Sequence, residues 1–120
     1  MREGAHAILL IEPDPPTAEL YQRELSREYQ VFTCTNESAA LDLLRERPIS
    51  AVVLDPALNN VQGWELLSEI KAVDCSIPVI LCSTLDERGR GIDLGAAAYL
   101  LKPALPTTLR DTLRRVIQQE

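Results

Sequence analysis

Five short runs rich in apolar residues alternate with five helix-like segments along this chain of 120 residues. The runs cover residues 7–11, 30–33, 51–54, 78–82 and 97–101. Continuous apolar runs of this length are typical of strands that are buried on both faces of a parallel sheet. Strict alternation with short connections predicts an α/β fold, a doubly wound parallel sheet with right-handed crossovers. Five strands fit the order 2-1-3-4-5, whose switch point lies between strands 1 and 3.

The segments between the runs carry recognisable helix signals. Helices are predicted over residues 15–28, 37–47, 63–73 and 86–94 and from residue 106 onward. Asp14 is placed to cap the first helix with proline at its first position, and Asn36 is placed to cap the second. The fourth helix contains Gly89 and Gly91, each of which costs about 1 kcal/mol relative to alanine in a helix interior, so we expect it to be short or frayed.

Composition and charge narrow the class of protein. The length predicts a single domain spanning residues 1–120, and 46% hydrophobic and 25% charged residues are ordinary for a soluble protein. A net charge of -6 argues against direct binding to nucleic acid or to an anionic membrane. No apolar run approaches the roughly 20 residues of a membrane span, and we expect a cytoplasmic location.

The cysteines and the histidine predict no metal or nucleophilic site. Cys34, Cys75 and Cys82 form no C-x-x-C pair and have no neighbouring histidine, so a zinc site is disfavoured. We expect reduced and mostly buried thiols. His6 precedes the first strand and is expected at the surface.

Polar side chains follow four of the predicted strands. Glu12 and Asp14 come after the first strand, Asp55 after the third, Ser83 after the fourth and Lys102 after the fifth. The carboxyl ends of parallel strands meet at one edge of a sheet, which is where ligands bind in such folds. Carboxylates that hold Mg²⁺ or act as the nucleophile, with a hydroxyl and an ammonium group beside them, make a set suited to a phosphoryl group.

Each of these residues also has a purely structural explanation. Asp55 before a proline is a common turn residue, Ser83 is a common hydrogen-bonding residue at a strand end, and Lys102 is an ordinary solvated charge. Asp14 is explained more simply as a helix cap than as a ligand.

Four segments resemble the receiver domain of bacterial response regulators, the flavodoxin-like phosphoacceptor of two-component signalling. They are residues 8–15, residues 52–56 with Gly63 further on, residues 78–84, and residues 95–103, of which the last is the most specific. Their order and spacing extend the resemblance over essentially the whole chain.

The resemblance implies a role for each residue. Asp55 would accept a phosphoryl group from a histidine kinase or a phosphotransfer protein, and the Ser83 hydroxyl would move onto that group. Lys102 would pair with the carboxylate and then with the phosphate, next to a cis bond to Pro103. Tyr99 would rotate inward with Ser83, although an ordinary core aromatic is the alternative. The domain would not be an enzyme beyond self-catalysed phosphotransfer and dephosphorylation.

The family's Mg²⁺ site is altered in this sequence. The resemblance places metal ligands at Glu12 and Asp55, at the backbone carbonyl of Ala57 and, more weakly, at Asp14. Pro13 stands where the family has its second consecutive acid, and proline offers no side-chain oxygen. Mg²⁺ requires near-octahedral oxygen ligation, so we expect weakened Mg²⁺ binding.

Other departures leave two functions open. Thr84 replaces the small residue that usually follows the hydroxyl residue, and Ala104 replaces a common aromatic. One hypothesis is a working receiver that signals through the strand 4, helix 4 and strand 5 face to a downstream protein or a fused effector domain, with a homodimer as one arrangement. The other is a degenerate receiver that acts as a protein-interaction module. An enzyme that binds flavin or nucleotide is disfavoured, because no glycine-rich phosphate loop follows strand 1.

Overall fold

The computed structural model describes residues 6–58 and 62–118. The strands are β1 (Ala7–Ile11), β2 (Gln30–Cys34), β3 (Ala51–Leu54), β4 (Val79–Ser83) and β5 (Ala98–Leu101). The helices are α1 (Pro15–Leu25), α2 (Glu37–Glu46), α3 (Gln62–Val73), α4 (Arg88–Asp93) and α5 (Pro106–Gln118). The strands form one parallel sheet in the order β2-β1-β3-β4-β5, which confirms the predicted fold class.

The sheet is covered on both faces. The central strands β1, β3 and β4 are buried along their whole length, as their continuous apolar runs predict. On one face, Leu9 of β1 packs in a cluster with residues of α2 and α3 such as Leu44 and Leu67. On the other face, Leu10 packs with residues of α1 and α5 such as Leu25 and Leu113. Each such side chain contributes about 1.5–3 kcal/mol by leaving water.

The helix caps were predicted correctly, whereas the end of α1 was not. The Asp14 carboxylate accepts hydrogen bonds from the backbone N–H and the hydroxyl of Thr17, at 3.2 and 2.5 Å. The Asn36 side chain accepts from the backbone N–H of Ala39 at 2.8 Å. α1 ends at Leu25 and not at residue 28. The chain must turn there because it already pairs with β1 at residue 30.

The fourth helix is short, as predicted, and its second glycine has a packing role. α4 has six residues. A Cβ atom built at Gly91 would lie 2.9 Å from Leu81 Cδ1 and 2.9 Å from Tyr99 Cδ2, whereas one built at Gly89 would contact nothing within 4 Å. Gly91 therefore allows α4 to lie directly against the Tyr99 ring.

The cysteine prediction was wrong in one respect. All three thiols are free, but only Cys82 is buried; Cys34 is half-buried and Cys75 is exposed. Burial raises the pKa of Cys34 to about 11 and also raises the pKa of Cys82. His6 is exposed, as expected, with its Nδ1 atom 2.9 Å from Ser50 Oγ. Among the helices that the structure describes, none has the length and apolar character to cross a membrane.

Candidate functional site

Three charged side chains meet at the carboxyl edge of the sheet. β1 and β3 are paired so that Ile11 lies opposite Leu54, which brings the next residues, Glu12 and Asp55, side by side. Lys102 follows β5 and reaches both of them. Its Nζ atom lies 2.7 Å from Glu12 Oε1 and 2.7 Å from Asp55 Oδ2. The structure thus brings these three residues together at one edge of the sheet, and their proposed roles remain predictions.

The two remaining carboxylate oxygens are held by the backbone. Glu12 Oε2 accepts from the N–H of Asp14 at 3.1 Å, and Asp55 Oδ1 accepts from the N–H of Ala57 at 2.8 Å. All four carboxylate oxygens thus have a protein partner. The Glu12, Asp55 and Lys102 side chains are only 3%, 10% and 13% exposed. Burial of charge is tolerated here because each charge is paired and hydrogen-bonded.

The ammonium group of Lys102 is stabilised by its two partners. Burial by itself lowers the pKa of Lys102, but the hydrogen bonds to Asp55 and Glu12 outweigh it, and the net effect raises the pKa above its usual value. Lys102 therefore stays protonated at neutral pH and contacts Glu12 and Asp55 as an ammonium group.

Ser83 and Tyr99 are connected through the loop between β4 and α4. The buried Ser83 Oγ atom accepts from the N–H of Leu85 at 3.1 Å. The carbonyl of Leu85 accepts from the Tyr99 hydroxyl at 2.6 Å, and that hydroxyl accepts in turn from the N–H of Glu87 at 3.3 Å. Leu85 therefore links the two side chains, so a displacement of the Ser83 hydroxyl would be transmitted through Leu85 to the Tyr99 hydroxyl.

An open groove of about 300 Å³ lies between α1 and the segment after β5, and Lys102 is the member of the charged trio that lines it. Thr17 and Leu20 of α1 form one wall, and Lys102 and Pro103 lie on the other, joined by a cis peptide bond. Thr84 is exposed and also lines the groove. Thr84 and Lys102 therefore border the same groove.

Gly63 holds α3 close to the turn that carries Asp55. A Cβ atom at Gly63 would lie 2.5 Å from Pro56 Cα and 2.7 Å from the Asp55 carbonyl oxygen. The backbone of the turn is so close to Gly63 that no side chain would fit at this position. Gly63 belongs to one of the segments that carry the family resemblance, but the atoms that it faces are not evident from the sequence.

Tyr21 is a supporting residue that the sequence reasoning missed. Its buried hydroxyl donates to the carbonyl of Ala104 at 3.0 Å and lies 3.8 Å from Cys82 Sγ. Burial raises the pKa of Tyr21, so the hydroxyl remains a donor. The bond ties α1 to the segment that follows Lys102. Its place in α1 facing the core accounts for its burial, whereas the partner of its hydroxyl is not evident from the sequence.

The oxygen ligands that the pocket offers fit Mg²⁺ poorly. Pro13 is exposed and offers no side-chain oxygen, and the Asp14 carboxylate caps α1. Within residues 6–58 and 62–118, no three His, Cys, Asp or Glu side chains are grouped so that they could hold a metal ion. The two carboxylates that remain, Glu12 and Asp55, are both bound to Lys102. The metal roles predicted for these residues and for the Ala57 carbonyl remain predictions.

The sequence matches the response regulator receiver domain family over residues 8–114. It is 32% identical over 119 residues to the two-component response regulator ORR26 of Oryza sativa subsp. japonica, covering 94% of this chain and 20% of that protein. It is 33% identical over 116 residues to the uncharacterized transcriptional regulatory protein YkoG of Bacillus subtilis (strain 168), covering 93% of this chain and 51% of that protein. The chain thus spans between a fifth and a half of these relatives.

Solved structures have the same fold. The CheY-like receiver domain protein of Methanospirillum hungatei JF-1 superposes with a TM-score of 0.89 at 18% identity, covering 97% of this chain and 96% of that one. The non-phosphorylated HemR receiver domain of Leptospira biflexa superposes with a TM-score of 0.84 at 31% identity, covering 93% and 94%. The BeF3-activated DrrB receiver domain gives a TM-score of 0.85 at 25% identity, covering 94% and 97%.

Proposed function

The chain belongs to the response regulator receiver domain family, and from this premise we propose that Asp55 accepts a phosphoryl group in a two-component or phosphorelay pathway. The observation that carries the proposal is the Asp55 carboxylate at the end of β3, fixed by Lys102 Nζ and by the N–H of Ala57. Receiver domains are regulators rather than enzymes in their own right. The donor would be a histidine kinase or a phosphotransfer protein in the cytoplasm.

The proposed reaction needs only groups that the site holds in place. A carboxylate oxygen of Asp55 attacks the phosphorus atom of a phosphohistidine, so a P–O bond forms as the P–N bond breaks and the imidazole of the donor leaves with the bonding electron pair. Lys102 lies next to the attacking carboxylate and balances the charge on the phosphoryl oxygens. Ser83, at the end of the neighbouring strand β4, supplies a hydroxyl for one of those oxygens.

The switch that would follow uses the bonds of the β4–α4 loop. When the Ser83 hydroxyl turns to the phosphoryl group, Leu85 loses the acceptor of its N–H. The loop then shifts and Tyr99 is released from the carbonyl of Leu85. We propose that this change alters the β4–α4–β5 face, through which a downstream protein, a fused effector domain or a second copy of the chain would be engaged.

Phosphorylation is tested by intact mass. After incubation with acetyl phosphate or phosphoramidate, the wild-type domain is expected to gain the mass of one phosphoryl group. Asp55→Asn is expected to gain none, because an amide is not a nucleophile for phosphorus. Asp42→Asn, on the exposed face of α2, is the matched control and should behave like wild type. Equal labelling of the Asp55→Asn variant would refute the assignment.

A degenerate receiver that acts only as an interaction module is the second candidate. It is favoured by one observation, that all four carboxylate oxygens of Glu12 and Asp55 are already bound by protein groups. The same mass experiment separates the two functions, because a degenerate receiver would remain unmodified with every donor.

Receiver domains generally bind Mg²⁺ at their acidic pocket, and we propose that this one binds it only weakly, without saturation in the low millimolar range. The substitution Pro13→Asp is expected to tighten Mg²⁺ binding about tenfold or more, since it adds an anionic ligand and 1.4 kcal/mol corresponds to a factor of ten. Isothermal titration calorimetry measures the effect. Pro13→Ala removes the proline without adding an oxygen and should leave the affinity unchanged. An unaltered affinity in Pro13→Asp would show that Pro13 does not limit metal binding.

A further inference from the structure

We propose that phosphotransfer to Asp55 in this protein does not require a divalent metal, because the ammonium group of Lys102 takes over the neutralisation of charge in the pocket. The inference rests on the proposed function of Asp55 as phosphoacceptor. It concerns what the residues around Asp55 do in place of a metal.

The positive charge of Lys102 already lies between the two carboxylates. Lys102 Nζ bridges Glu12 Oε1 and Asp55 Oδ2 at 2.7 Å each, so it lies between the two carboxylates where a cation would have to bind. Both contacts are charge-assisted hydrogen bonds, which are the short and strong kind.

A divalent metal ion and the ammonium group of Lys102 would compete for the same carboxylates. A divalent ion at this pocket would have to separate Lys102 from two side chains that are at least nine-tenths buried. The displaced ammonium group would lose its partners in a place with little access to water, which is costly. Mg²⁺ also gives up its own water reluctantly. With Pro13 in place of a third anionic ligand, nothing compensates for these costs.

The net charge of the pocket determines how strongly it repels an incoming phosphoryl group. Two carboxylates and one ammonium leave the trio with one net negative charge. A pocket with a third carboxylate at position 13 would carry two net negative charges and would repel an anionic phosphoryl group more strongly. The loss of the acid at Pro13 removes a metal ligand and, by the same change, removes part of the need for a metal.

The test measures phosphorylation and metal binding separately. The wild-type domain is incubated with phosphoramidate in EDTA or in Mg²⁺, and the initial rate is followed by intact mass. The two rates are expected to agree within about twofold, whereas loss of a required metal would lower the rate by about a hundredfold or more. Calorimetric titration of the wild type with Mg²⁺ alone is expected to show no saturable binding in the low millimolar range.

The variant Pro13→Asp serves as the matched control, since it should bind Mg²⁺ and become faster when the metal is added. Phosphorylation of the wild type in Mg²⁺ but not in EDTA would overturn the inference and leave the proposed function standing. Saturable millimolar Mg²⁺ binding by the wild type would also overturn it. If no donor modifies Asp55 under either condition, the proposed function fails, and the calorimetric result still decides whether Lys102 excludes the metal.

Discussion

Lys102→Met is expected to lower the free energy of unfolding by about 3–5 kcal/mol, because it leaves two buried carboxylates without their cation. The side chain of methionine fills a similar volume, so packing is largely kept and the loss is electrostatic. The same variant is expected to lose phosphorylation of Asp55, since no positive charge remains to face the phosphoryl oxygens. Urea denaturation measures the first effect and intact mass after incubation with phosphoramidate measures the second.

The double variant Lys102→Met with Glu12→Gln separates these two effects. Removing the Glu12 charge relieves the repulsion between Glu12 and Asp55, so part of the lost stability should return. Phosphorylation should not return, because the cation is still missing. If Lys102→Met costs less than about 1 kcal/mol, as for a surface ion pair, the account of a tightly held trio is wrong.

Gly63→Ala is expected to destabilise the domain by about 1–3 kcal/mol or more, the range for forcing an extra carbon into a packed site. The added Cβ atom would lie 2.5 Å from Pro56 Cα and 2.6 Å from the Pro56 carbonyl oxygen. These are backbone atoms of the turn that carries Asp55, and no side-chain rotation relieves the overlap. We therefore also expect the rate of phosphorylation to fall. Thermal or urea denaturation measures the loss of stability, and the mass assay measures the fall in the phosphorylation rate.

Gly89→Ala is the matched control for the same change within a helix. A Cβ atom there meets nothing within 4 Å, so alanine should stabilise α4 by about 0.5–1 kcal/mol through its better helix propensity. Opposite signs at the two positions would show that Gly63 is required by contact and not by helix propensity. Equal effects would contradict that explanation.

The fold could be predicted because burial dictates it. A strand that is buried on both faces has a nearly continuous apolar sequence, and this is true of β1, β3 and β4. Asp14 and Asn36 were identified as caps because capping is a local interaction within three residues. The end of α1 was missed because it depends on where β2 must begin to pair with β1, which is not a local property.

The sequence predicts which residues come together at the candidate site, but it does not predict the hydrogen bonds and ion pairs that they form. Parallel pairing brings Glu12, Asp55 and Lys102 to one edge of the sheet, and this follows from the order of the strands. That Lys102 contacts both carboxylates depends on side-chain conformation, and its contact with Glu12 joins residues that are 90 positions apart in the sequence. The bond from Tyr21 to the carbonyl of Ala104 is of the same kind. No periodicity or spacing in the sequence encodes such a contact.

The central claim is that Asp55 is the residue that carries the phosphoryl group. An acyl phosphate on aspartate is reduced by sodium borohydride to homoserine, which marks the modified position permanently. After treatment with phosphoramidate and then with borohydride, peptide mass mapping is expected to find homoserine at position 55 in the wild-type domain and nowhere in Asp55→Asn. Homoserine at a different aspartate, or unmodified Asp55 in a protein that had gained phosphoryl mass, would contradict the account.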